Sequence, residues 1–206
     1  MKLTAKLTFG ASLAVAGLFP AAVFAEETKQ AYFAGGCFWC IEKDFESVAG
    51  VGDVVSGYQG GELQNPTYRN HSGHREVVQI NYDPSVVTYE ELLKVFFRSV
   101  DPTDAGGQFC DRGFAYTTGI YAETDAELAA AEAAKMEAGK TLGKDIATAI
   151  EPYSFFTQAE DYHQNYYQKN PIRYNIYRKS CGRNSRVEAL WGDEAYVGTH
   201  TKEKTS

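Results

Sequence analysis

The chain has 206 residues with 20 basic and 27 acidic side chains, a formal charge of −7, and four cysteines. An acidic balance argues against nucleic acid or an anionic membrane as partner. The length suits one sizeable hydrophobic core and does not require a second domain.

Residues 1–25 read as a cleavable signal peptide. Lys2 and Lys6 give a positive start, an apolar run spans Leu7 to Phe24, and Val23-Phe24-Ala25 makes a cleavage-like end. Gly10, Gly17 and Pro20 interrupt the run, which favours cleavage after Ala25 over a permanent anchor. The expected location is the periplasm or another exported space, with no stable membrane insertion once the segment is gone. Residues 26–206 are then the mature domain; without the two lysines it has 18 basic against 27 acidic residues, about −9 in formal charge. In an oxidising compartment the plain expectation for Cys37, Cys40, Cys110 and Cys181 is two disulfides, and sequence does not choose the pairing.

Alternation in "KQAYFAGG" predicts a strand ending at Gly35-Gly36. Phe38, Ile41, Phe45 and Val48 then recur at helical spacing until Gly50 and Gly52, which puts Cys37 at a helix N-terminus. "VVSGY" and "EVVQINYD" read as strands on either side of the loop "QGGELQNPTYRNHSGH". Thr88 with Glu91 forms a capping box for a helix over Leu92, Val95 and Phe96 that runs to about Val100. After the loop "TDAGGQFCDRG", the run "FAYTTGIYA" alternates as a strand, Thr124 with Glu127 caps an Ala-rich helix to about Gly139, and "IATAIEPY" returns as a strand. This order predicts an α+β fold: a split βαβ (ferredoxin-like) two-layer core with a mixed sheet. Residues 157–206 are expected to be a long, mostly irregular segment with "EDYHQNYY" and "RVEALWG" as short helical pieces.

Three chemistries compete for "GCFWC". A thiol-exchange pair also opens a helix, whose positive end lowers the pKa of the first thiol; Phe38 and Trp39 are large for the middle of such a motif. Zinc needs a second ligand pair at short spacing, yet Cys110 and Cys181 stand apart, and His71 and His74 lie in a loop-like stretch, so no metal is assigned. The third reading makes Cys37 a nucleophile beside an apolar wall able to hold a methyl group on a thioether oxide. Phe38 lies on the helix's apolar stripe and could equally be core, whereas Trp39 falls one position off it and needs another partner.

Taken in order, "GCFWC", "NPTY", "GHRE", "YDPS" ahead of a helix, "FCDRG", "EDYHQ" and "KNP" resemble peptide methionine sulfoxide reductase A, over residues 30–192. The stretch "GGQFCDRG" resembles a subgroup of that family. The resemblance implies reduction of the S epimer of methionine sulfoxide, free and in oxidised proteins, with no prosthetic group and with an external thioredoxin-like dithiol as reductant. It implies Cys37 as the nucleophile that becomes a sulfenic acid, Phe38 and Trp39 as the methyl pocket, and Glu76 as the acid that protonates the sulfoxide oxygen. Tyr68 and Tyr116 match the phenols that hydrogen-bond that oxygen, and Asp111 matches an aspartate that organises the pocket. Cys181 is the candidate resolving thiol, in a tail expected to be mobile, with Cys40, one helical turn from Cys37, as rival and Cys110 as a further choice. Where many relatives have a polar pair, Phe114-Ala115 stand here, and Phe114 is expected to pack beneath the site.

Overall fold

The computed structural model describes residues 28–200; the signal peptide expected over residues 1–25 lies outside them. In chain order the elements are β1 (Lys29–Gly35), α1 (Phe38–Glu46), β2 (Val51–Gln59), β3 (Arg75–Tyr82), α2 (Tyr89–Phe97), β4 (Gly107–Gln108) and β5 (Asp111–Arg112). They continue with β6 (Thr118–Ala122), α3 (Asp125–Leu142), β7 (Ala149–Pro152), β8 (Phe156–Gln158), α4 (Tyr166–Lys169), α5 (Pro171–Ser180) and α6 (Arg183–Trp191). The result is a mixed α+β fold. Its six-stranded sheet has the order β7-β6-β1-β3-β2-β8, antiparallel at every pairing except the parallel β6/β7 edge.

Side-chain alternation decides what each face of the sheet meets. Phe33, Val78 and Ile80 join the main core with Ile41 and Phe45 of α1, Leu92 and Phe96 of α2, and Ala131 of α3. Tyr32, Ala34, Val77 and Tyr121 point the other way, into a smaller cluster backed by Tyr153 and Phe156. Phe33 sits in the middle of the main core, its ring centroid 5.5 Å from that of Phe45 and 5.1 Å from that of Phe96.

Local signals set the helix ends. The Thr88–Glu91 capping box closes α2 in both directions, and Thr124 accepts the Glu127 amide at the start of α3. α3 runs past Gly139 to a left-handed C-cap at Gly143.

Two expectations change. The run 114–122 is not strand throughout: Phe114–Tyr116 form a 3-10 turn before β6. Gly113 there has φ +110°, and the Thr117 hydroxyl donates back to the Phe114 carbonyl, which closes the turn before pairing begins. Nor is the C-terminal segment mostly irregular, since α4, α5 and α6 occupy much of residues 166–191. In α5 the buried side chains are Tyr174 and Arg178, while Ile172 and Ile176 are exposed. Its inward face is therefore a phenol and a guanidinium, and hydrophobic periodicity cannot reveal a helix whose aliphatic residues face water. α6 buries Val187 and Trp191, with the Trp191 indole donating to the Val100 carbonyl.

Phe33→Ala should lower the unfolding free energy by about 3–5 kcal/mol, the usual range for emptying a core phenylalanine site. Urea denaturation followed by circular dichroism measures it, and a loss within noise would remove Phe33 from the centre of the core.

Candidate active site

The chain leaves β1 through Gly35-Gly36, and Gly36 adopts φ +82°, a left-handed conformation that favours glycine. That turn sets Cys37 as the N-cap residue of α1, and its thiol makes no capping bond. The cap comes from the sheet instead. Glu76, at the start of β3 and opposite Tyr58 of β2, has the same parity as Val78 and Ile80 and so faces the helix layer. One of its carboxyl oxygens, Oε2, accepts the Phe38 amide at 3.0 Å, which satisfies an N–H that a helix start leaves unpaired.

Above this contact lies a cavity of about 50 Å³ lined by Cys37, Glu76, Tyr68, Asp111 and Tyr116, with Phe38 and Trp39 as apolar wall. Every residue predicted for chemistry on the substrate thus reaches one site. Phe38 is fully buried and serves as core and wall together. Trp39 has the partner its position required: its ring stacks on Tyr166 at 3.8 Å between centroids, and its indole N–H donates to His163 Nδ1 at 3.1 Å. Tyr68 is 39% exposed at the rim, held by its amide, which donates to Glu160 Oε1 at 3.1 Å.

Tyr177 also lines the cavity. Its hydroxyl makes a short hydrogen bond to Asp111, on β5, and reaches the Cys37 sulfur. Sequence reading passed over Tyr177 because α5 was not expected as a helix and one tyrosine among 14 carries no local signal. His163 and Tyr166 were missed likewise, although the aromatic run "EDYHQNYY" marks the place. Phe114 does not pack beneath the site; it is half exposed, with its ring 4.5 Å from the Arg75 guanidinium.

The cysteines divide into two pairs. Cys110 and Cys181 form a disulfide with Cα atoms 4.9 Å apart, and Cys37 and Cys40 are free and buried. Cys181 is not in a loose tail: it is the C-cap residue of α5.

Burial dominates the electrostatics. It pushes the Glu76 carboxyl up to about 8, with Asp111 and Cys40 adding to the rise and the Phe38 amide opposing it. Glu76 therefore holds a proton at neutral pH. The expected acidification of Cys37 by the helix end is outweighed: burial, the hydrogen bond to Cys40 and the proximity of Glu76 push this thiol well above its ordinary value. Cys40 moves the opposite way, to about 6, because it accepts the Cys37 thiol's hydrogen bond and feels Arg183 and Arg178. Burial raises the Tyr68 and Tyr116 phenols, so both remain hydrogen-bond donors. The arrangement offers a sulfur nucleophile, a neutral carboxylic acid and two phenols around a space the size of a side-chain tip.

Comparison with known proteins agrees with this geometry. The family model for peptide methionine sulfoxide reductase matches residues 29–195. The "Peptide methionine sulfoxide reductase MsrA 2" of Rhizobium meliloti is 52% identical over 195 residues, covering 94% of this chain and 98% of that protein. The structure of methionine sulfoxide reductase A of Corynebacterium diphtheriae superposes with a TM-score of 0.69 at 32% identity, over 74% of this chain and 82% of that one. Mxr1 from Saccharomyces cerevisiae in complex with Trx2 gives a TM-score of 0.51 at 29% identity, over 70% of this chain and 91% of that one.

The hydrogen bond from Tyr177 lowers the Asp111 pKa against the upward push of burial. Tyr177→Phe should therefore move the Asp111 midpoint upward, read from its side-chain carboxyl carbon by NMR titration. An unmoved midpoint would detach Asp111 from Tyr177.

Proposed function

The chain belongs to the peptide methionine sulfoxide reductase family, and on that premise we propose that it reduces the S epimer of methionine sulfoxide, free and in oxidised proteins, to methionine. One observation supports this best: a cysteine sulfur, a protonated buried carboxyl and an aromatic wall line the same small cavity.

The sulfoxide methyl lies against Phe38 and Trp39, and the oxygen points to Glu76, Tyr68 and Tyr116. Glu76 gives its proton to that oxygen as Cys37 attacks the sulfur, and the proton shed by the Cys37 thiol replaces it on the carboxylate. The substrate S–O bond breaks while an S–O bond forms on Cys37, and two electrons pass from the cysteine to the substrate. Methionine leaves, and Cys37 remains as a sulfenic acid. Asp111 and Tyr177 hold the wall opposite Glu76. Selection of one epimer follows from an acid on one side of the sulfur and an apolar wall on the other, since the mirror-image sulfoxide would put its oxygen on the rings.

A second thiol of the chain clears the sulfenic acid with loss of water, and a thioredoxin-like dithiol then reduces the disulfide. Cys181 and its rival Cys40 are the leading candidates, with Cys110 a further choice. The Cys110–Cys181 bond must open before Cys181 can act, whereas Cys40 is free. The Mxr1–Trx2 complex supports a partner of thioredoxin type, and the chemistry requires no prosthetic group.

Two further readings belong here. The antiparallel order β6-β1-β3-β2, with α1 and α2 as the connecting helices, supports a split βαβ (ferredoxin-like) core. The basic start and apolar run of residues 1–25 support export to the periplasm or beyond, with residues 26–206 as one catalytic domain.

In a single-turnover assay on chiral methyl sulfoxides, only the S epimer should yield thioether, and Cys37→Ser should yield none. Turnover by Cys37→Ser would remove this sulfur from the mechanism. Glu76 is protonated below about pH 8 and loses its proton above, so methionine formation should fall as pH rises past that point. Glu76→Gln should lose that falling limb and react about 10²–10⁴-fold more slowly, the usual worth of a positioned proton donor. A rate close to wild type would mean the proton comes from elsewhere.

A further inference from the structure

Trp39 forms part of the cavity wall, and both its nearest ring neighbour and its indole hydrogen bond come from the far end of the chain. Tyr166 stacks on the indole with centroids 3.8 Å apart and planes 9° off parallel, and His163 Nδ1 accepts the indole N–H. Both belong to the short stretch 163–166 that leads into α4. Whatever holds this stretch therefore also holds the wall.

Two side chains tie it down. Gln164 grips β2, its Oε1 accepting the Ser56 amide and its Nε2 donating to the Ser56 carbonyl, each at 2.9 Å. Glu42, on α1 one turn beyond Trp39, is fully buried, and the oxygen-transfer step does not use it. Its Oε1 accepts the Asn165 amide at 2.8 Å. Asn165 is the N-cap residue of α4 and sits in left-handed backbone, φ +54° and ψ +35°, with no capping bond from its own side chain. Few residues other than glycine adopt that conformation without cost, and the bond from its amide to Glu42 offsets it. Burial pushes the Glu42 carboxyl up to about 7, against the pull of the Asn165 amide. Protonated or not, the group keeps an oxygen able to accept, so the contact does not depend on its charge.

We propose that Glu42 is a positioning residue for the methyl pocket: by holding the turn at Asn165 it sets His163 and Tyr166 against Trp39, and so fixes the ring on which the sulfoxide methyl rests. The inference rests on the reading of Trp39 as that wall. Trp39 and Glu42, three positions apart, lie on the same side of α1. His163 and Tyr166 lie on either side of Asn165. Two neighbours on a rigid helix thus meet one turn at several points, and losing the Glu42 bond frees the turn that carries the other contacts.

The chain has two tryptophans, and the second, Trp191 on α6, donates its indole N–H to the Val100 carbonyl. A proton–nitrogen NMR spectrum therefore carries one indole signal for the wall and one that reports the fold elsewhere. Glu42→Met keeps the bulk and removes the acceptor, whereas Glu42→Gln keeps both. Glu42→Met should shift the Trp39 signal and leave that of Trp191 in place, and Glu42→Gln should leave both. In single-turnover assays the half-saturating concentration of a methionine sulfoxide peptide should rise about tenfold in Glu42→Met, the low end of what one apolar group in a pocket contributes. The rate at saturation should stay within about twofold of wild type, as expected when binding rather than proton transfer is disturbed. In Trp39→Ala, adding Glu42→Met should raise the half-saturating concentration no further, because the two act through one ring. An unmoved Trp39 signal, a shift of both indole signals, or an additive rise in the double variant overturns the proposal. Wild-type affinity in Trp39→Ala overturns the reading of Trp39 as the wall instead. If Glu42→Met does not fold, the wild-type protein still decides: spin coupling across the hydrogen bond from the Asn165 amide to the Glu42 carboxyl carbon is expected, and its absence contradicts the proposal.

Discussion

The hydrogen bond from the Phe38 amide to Glu76 joins the first turn of α1 to the sheet, and the site is built around it. It settles where the helix begins relative to β3, and so where the Cys37 sulfur stands relative to the carboxyl. It also decides the work each carboxyl oxygen can do. Oε2 is occupied as an acceptor, which leaves the other oxygen to carry the proton. A helix N-terminus ordinarily favours a carboxylate. Here burial between core and cavity wall outweighs it, and the group stays a neutral acid in neutral water. The same contact thus positions the acid and leaves it protonated.

Charge is partitioned across α1. On the cavity side, Glu76 and the phenols are neutral, and Cys37 keeps its proton. On the other side, Asp44, Arg178 and Arg183 form a buried ionic group. Cys37 and Cys40, one turn apart, belong to the two sides. A sulfur beside a protonated Glu76 and an aromatic wall can meet a sulfoxide of low charge, while the buried ionic group behind it ties α1 to α5 and α6. The spacing of "GCFWC" alone is silent on this division, because the arginines come from helices more than a hundred residues further along the chain.

What the sequence revealed followed the strength of its local signals. The strands flanking "GCFWC", the capping box at Thr88, the Thr124 N-cap and the Gly36 turn rest on short-range rules, and each was legible. Cys37 and Glu76 were legible through motif resemblance, and their meeting needed only the pairing of β2 with β3. The helices of residues 166–191 were not. α5 presents Tyr174, Tyr177 and Arg178 inward and leaves isoleucines in water, an inversion that makes sense only once the Asp44 carboxylate and Asp111 are in place to receive them. The Cys37 titration was misjudged for a related reason: helix end effects can be read from spacing, but burial and the nearness of Cys40 and Glu76 cannot.

Neutron diffraction from deuterated crystals of the reduced protein at neutral pH tests the central claim most directly. The account predicts deuterium on the Glu76 oxygen that faces the cavity, with the other oxygen accepting the Phe38 amide. A bare carboxylate at position 76, or a carboxyl turned away from Cys37, would contradict it.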